Sequence, residues 1–169
     1  MTKEEIAQLR SYLASQSMKR TPTQIYDTLR EVYHQFLEAL GQFSEAAFEK
    51  SYQDGAWSIA EILEHVTLFM AVYEQAICTA LEQGLCPPDV NDRNEILPRH
   101  RQMSRLELLS ILESSFQRLE HTVHQVEPDS QLELTWKHFE LGAMHWREWL
   151  LFARIHLLDH LRQLQTMQL

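Results

Sequence analysis

Apolar residues recur along this chain at intervals of three and four, and almost nowhere do they alternate one-for-one with polar ones. A period near 3.6 residues predicts amphipathic helices, and the lack of a two-residue period leaves strands without support. In "TPTQIYDTLREVYHQFLEAL" (21–40), Ile25, Leu29, Val32, Phe36 and Leu40 share one face, Pro22 stands near a first turn, and Gly41 follows as a stop. A second face carries Ile59, Ile62, Val66, Phe69, Tyr73 and Ile77 and ends at Gly84, with Pro87-Pro88 blocking continuation. The third, from Ser104 to about residue 125, aligns Leu109, Leu112, Phe116, Leu119 and Val123 before Pro128. The fourth, from about Met144 to the C-terminus, carries Trp149, Phe152, Ala153, Leu157 and Leu164.

Three helix starts are marked by a hydroxyl followed three residues later by glutamate: Thr2 with Glu5, Ser58 with Glu61, and Ser104 with Glu107. In such a capping box each side chain satisfies a backbone N–H that the first turn leaves unpaired. The first box opens a short helix over about residues 3–17, which reads as an appendage. Between the first two long helices "SEAAFEK" has room for one helical turn before Asp54-Gly55 and Trp57. Four long helices that each bury one face predict an all-α four-helix bundle over residues 21–169, with an N-terminal helical extension over 1–20.

Two histidines interrupt this pattern. His156 and His160 sit in the middle of the fourth helix's apolar arc, where a packed seam favours leucine. A buried imidazole without a partner costs about 1–3 kcal/mol, so the fold must satisfy both. Four residues of helix separate them by about 6 Å on one face, a spacing from which two ring nitrogens can converge on one ion. A mutual hydrogen bond or a buried water would satisfy them equally well. His65 flanks the second helix's apolar arc beside Phe69 and can face a neighbouring helix, whereas His34, His121 and His124 project away from their apolar stripes. His100, His138 and His145 fall in or beside loops, with His145 opening the fourth helix on its inward side. Leu157 stands where a zinc peptidase of the H-E-x-x-H type would carry its general base, which disfavours a peptidase.

Composition narrows the partners. The chain has 24 acidic and 15 basic residues, a net charge of -9, so its average field repels phosphate backbones and anionic membranes. The basic run around Arg99, His100 and Arg101 is too short to reverse that. With no apolar leader at the start and Arg154 breaking the most apolar stretch, the expectation is a cytoplasmic protein with no nucleic-acid or membrane partner. Cys78 and Cys86, close to the end of the second helix, read as free thiols without chemistry.

"WSIAEILEHV" (57–66) resembles the W-S-x-x-E-x-L-x-H signature of the DinB/YfiT-like superfamily of metal-dependent enzymes, and "HFELGAMHWREWLLFARIHLLDHLRQL" (138–164) resembles its closing segment. The resemblance runs from about residue 22 onward. It implies a four-helix bundle in which one histidine of the second helix and an H-x-x-x-H pair of the last bind a divalent metal, positions matched by His65, His156 and His160. Gly142, Glu148-Trp149, Phe152 and Gln163 also match and read as architecture. Phe139 departs from a frequent proline and Asp159 from a frequent basic residue, and the N-terminal helix is extra.

Three neutral imidazoles leave a divalent ion an open coordination position, the arrangement of catalytic zinc sites, and zinc, nickel, manganese and iron all suit nitrogen ligands. Such an ion activates water or a thiol as a nucleophile. The resemblance implies S-transfer by a low-molecular-weight thiol to an electrophilic small molecule, or metal-dependent hydrolysis. A non-catalytic metal-binding or dimerising bundle remains the third reading, and a homodimer is common among the proteins it resembles. Trp57, Trp149 and Phe152 are candidates for a pocket wall or for core, and Asp159 and Glu61 for orienting a ligand imidazole or for solvation and capping respectively.

Overall fold

The structure is a computed structural model and describes residues 2–51, 56–90 and 103–167. The basic run at Arg99–Arg101 and the Asp54-Gly55 turn lie outside the described residues. Helix α1 spans Lys3–Lys19, α2 Pro22–Gly41, α3 Glu45–Phe48, α4 Ile59–Gln83, α5 Arg105–Gln125 and α6 Trp146–Met167. All three capping boxes form, and a fourth, Thr21 with Gln24, starts α2. Gly84 ends α4 in the left-handed conformation at φ 64°, as its place after the last apolar residue requires.

Helices α2, α5, α4 and α6 pack in that order around one core, so the successive helices α2 and α4 lie across a diagonal. Paired contacts give their directions. Arg30 meets Glu120 and Tyr33 meets Glu113, making α2 antiparallel to α5. The Thr67 hydroxyl donates to the Leu108 carbonyl while Cys78 meets Thr122, making α4 parallel to α5. His65 meets His160 and Tyr73 meets Trp149, making α4 antiparallel to α6. This order seats the inward stripe of α4 directly against that of α6.

Two expectations change. Residues 135–145, read as part of a loop running into the last helix, form an antiparallel hairpin of β1 (Thr135–His138) and β2 (Gly142–His145). Each strand has four residues, too few to show alternation. They are held from outside, because Trp136 stacks on Trp149 of α6 at 5.6 Å and the Trp149 indole N–H donates to the Met144 carbonyl at 3.1 Å. Gly142, the first residue of β2, takes the left-handed conformation at φ 74°, which glycine adopts without a Cβ penalty. The last helix accordingly starts two residues later than expected.

Nor does α1 hang free as an appendage. It lies along α6, burying Leu13 completely, and its Arg10 pairs with the buried carboxylate of Glu148. Glu148 also accepts from the backbone N–H of His145 at 3.1 Å, so one carboxylate closes the start of α6 and anchors α1. Among the described residues no helix is long and apolar enough to cross a membrane.

Candidate metal centre

The site is assembled where α4 and α6 run side by side. The cap at Ser58 fixes where α4 begins, which sets the rotation that turns His65, Phe69 and Tyr73 towards α6. On α6 the four-residue spacing sets His156 and His160 on the face that meets them. His65 and His156 approach Nε2 to Nε2 at 3.1 Å, and one potential ligand nitrogen from each of the three rings lies within 4.8 Å of the other two. Two nitrogens bound at about 2.0–2.1 Å to one tetrahedral ion stand about 3.3–3.4 Å apart, so the His65–His156 separation is already close to that of a shared ion. Among the described residues this is the one cluster of three or more histidine, cysteine or carboxylate side chains with such geometry.

Packing holds each ring. Phe69 stacks on His156 at 4.2 Å and 6° between planes, Trp57 lies nearly parallel to His160 at 6.1 Å, and Trp57 also touches His65 at 4.8 Å. The Gln163 Oε1 sits 3.0 Å from His160 Nδ1, and the Tyr73 hydroxyl 3.5 Å from His156 Nδ1. Burial, reinforced by the neighbouring His160, His65 and His138, pushes the His156 pKa well below the usual imidazole value. Burial and His65 push His160 down to about 4, against a small upward pull from Gln163. Both rings are therefore neutral at pH 7 and offer lone pairs instead of charge, the state that metal ligation needs.

The donor set fits a borderline divalent cation: nitrogen only, converging, and bordered by aromatic rings, with His65 buried and His156 and His160 half-buried. Glu61 closes the cap by accepting from the Ser58 backbone N–H at 2.7 Å. Asp159 is exposed and pairs with Arg162 at 3.3 Å, so it orients no ligand ring. Trp57 and Phe152 border the histidines, whereas Trp149 belongs to the core around the hairpin.

The remaining histidines divide as their projections predict, with two refinements. His34, His121 and His124 are exposed. His138 is buried in the hairpin, where its Nδ1 accepts from the backbone N–H groups of Glu140 and Leu141, both at 3.1 Å, and holds the turn. His145 ends β2 instead of opening α6, half-buried and 3.7 Å from Glu148. Three contributors to the site went unassigned from sequence: Phe69 and Tyr73 read as core, and Gln163 as architecture. Only Gln163 carried a local signal, since three residues of helix set it beside His160.

Cys78 is buried and its thiol is pushed up to about 12, chiefly by burial, so it is no nucleophile; Cys86 is exposed and, like Cys78, free.

No curated protein sequence matches the chain. Two solved structures share its fold. TT2238, a four-helix bundle protein, is 21% identical with a TM-score of 0.66, the match covering 86% of this chain and 99% of that one. YfiT from Bacillus subtilis, described as a probable metal-dependent hydrolase with an unusual four-helix bundle topology, is 14% identical with a TM-score of 0.71, covering 87% and 85%. The sequence profile of the DinB superfamily matches residues 28–164, from the middle of α2 through the last of the three clustered histidines, and the chain belongs to that superfamily.

Proposed function

We propose that His65, His156 and His160 hold one divalent metal ion, zinc or nickel foremost, and that the protein is a metal-dependent enzyme of small-molecule chemistry. The observation that carries this reading is the convergence of three imidazoles from two helices among aromatic rings, with no carboxylate in the cluster among the described residues. Imidazoles leave the ion's full double charge uncompensated, which favours an anionic further ligand. A bound ion would supply Lewis acidity, lowering the pKa of a thiol or of water in that position. The chain's own residues then hold the ion in place and border it with the rings of Trp57, Phe69 and Phe152.

The leading reaction is S-transfer, with a low-molecular-weight thiol as nucleophile and an electrophilic small molecule as acceptor. Hydrolysis is the second reading, favoured by the fold shared with YfiT and its description as a probable metal-dependent hydrolase. Elemental analysis of protein purified without chelator tests the common premise. The expected result is close to one ion per chain, falling to background in His65→Ala and His156→Ala. Equal trace metal in all three proteins would remove the site. Cobalt-loaded protein titrated with small thiols then separates the reactions: a thiolate-to-cobalt absorption band supports S-transfer, and an unchanged spectrum with every thiol favours hydrolysis.

A further inference from the structure

The two α6 histidines present different nitrogens to different partners, and the pattern says which atom of each ring faces the ion. His160 Nδ1 lies 3.0 Å from the side-chain oxygen of Gln163, which can only accept, so Nδ1 carries the proton and Nε2 keeps its lone pair. His156 is spanned from both sides by α4: His65 stands at its Nε2, and the Tyr73 hydroxyl, fully buried, stands 3.5 Å from its Nδ1. An imidazole that ligates through one nitrogen needs the other held by an acceptor, which fixes tautomer and ring rotation and raises the basicity of the ligating atom.

We infer that Gln163 and Tyr73 are the positioning residues of the metal centre, Gln163 setting His160 and Tyr73 setting His156 so that both ligate through Nε2. This deepens, and rests on, the three-histidine reading above. The two are unequal in reach. Gln163 acts within its own helix, three residues from its ligand, at full hydrogen-bond distance. Tyr73 acts across the α4–α6 seam at a distance where the bond is weak until the ring tightens around an ion. Gln163 therefore matters more, and its oxygen matters more than its amide: glutamate in its place keeps the acceptor and leucine removes it.

The test compares wild type, Gln163→Leu, Gln163→Glu and Tyr73→Phe for zinc and cobalt affinity by competition with a chromophoric chelator. Proton NMR of the cobalt-loaded proteins, in which ring N–H protons of ligating histidines appear as shifted exchangeable signals, gives the second readout. Gln163→Leu is expected to weaken binding about 10- to 100-fold and to lose one exchangeable signal to solvent exchange. Gln163→Glu is expected to restore both, and Tyr73→Phe to weaken binding several-fold and broaden a different signal. Wild-type affinity with every exchangeable signal intact in Gln163→Leu would overturn this inference and leave the three-histidine site standing. A wild-type protein that takes up neither zinc nor cobalt would overturn the site itself.

Discussion

Helix α4 buries polar side chains on two sides, and the two sides solve the cost of burial differently. Towards α5 it turns Thr67, Glu74 and Cys78, and each finds a counterpart of complementary character: the Leu108 carbonyl, the Arg118 guanidinium at 3.1 Å and the Thr122 hydroxyl at 3.3 Å. Arg118 also reaches Glu82 at 3.4 Å, and Thr122 donates to Glu82 at 2.7 Å. Donor meets acceptor and charge meets opposite charge. Towards α6 the same helix turns His65 onto two further imidazoles, like against like. The three rings bring nitrogens inside 4.8 Å of one another, and each neutral ring, with one N–H and one lone pair, can turn its N–H outward and its lone pair inward. A seam that closes on itself is structural, whereas one that leaves acceptors pointing together is shaped for a cation.

If that contrast is right, the two seams respond oppositely to the same operations. The largest effect is expected from His156→Leu, which abolishes metal binding yet, in the presence of chelator at pH 5, leaves the protein as stable as wild type or up to about 2 kcal/mol more so. A desolvated ring is replaced there by a side chain that the seam accommodates. Urea denaturation with metal analysis on the same samples checks both halves. A variant as destabilised as an ordinary core truncation would make His156 a structural residue.

Acidification gives the next effect. His160 is held at about 4 in the folded protein, against an ordinary value of 6.5. Between those values the unfolded chain binds more protons, so the metal-free protein loses stability as pH falls from 6.5 to 4, by about 3 kcal/mol from His160. His156, displaced in the same direction, adds to the slope. Glu74 works the other way: burial raises its pKa despite Arg118, so the folded state holds the extra proton just above pH 4.5 and its contribution declines as pH rises through that window. Denaturation midpoints of metal-free wild type and of the His156→Leu/His160→Leu pair, taken from pH 7.5 to 4.5, should differ in slope, the pair being flatter. Parallel slopes would break the comparison.

On the other seam, Arg118→Met removes the partner of a buried carboxylate. Arg118 is nearly half exposed, so water screens the pair and the loss is about 1–2 kcal/mol instead of the roughly 3–5 of a fully buried one, with metal content unchanged. Smallest is Asp159→Asn, which severs only the exposed pair with Arg162 and should alter neither stability by more than about 0.5 kcal/mol nor metal affinity measurably. A clear fall in metal affinity in either variant would show that these residues reach the centre after all.

Much of this was legible before any tertiary contact, and what was legible was local. Capping boxes involve residues three apart, so Thr2, Ser58 and Ser104 announce their helices without reference to anything distant. The pairing of His156 with His160 follows from helical geometry alone, as does the nearness of Gln163. His65 was placed by its helical face and by the family signature. The hairpin was not visible, because its four-residue strands are held by Trp149 and by each other, not by a pattern of their own.

By itself, the sequence determined where most helices start and stop, which face each one buries, and that two imidazoles share one face of the last. Those are consequences of bonds and rotations confined within a few residues. Only the tertiary structure decided that α4 and α6 are neighbours running in opposite directions, and hence that His65 and Tyr73 meet His156 across the seam. Only packing on α6 decided that 135–145 pairs as strands and that α1 closes over the bundle. Contacts between residues about ninety positions apart depend on how whole apolar faces are shared out around a core, and no local rule specifies that.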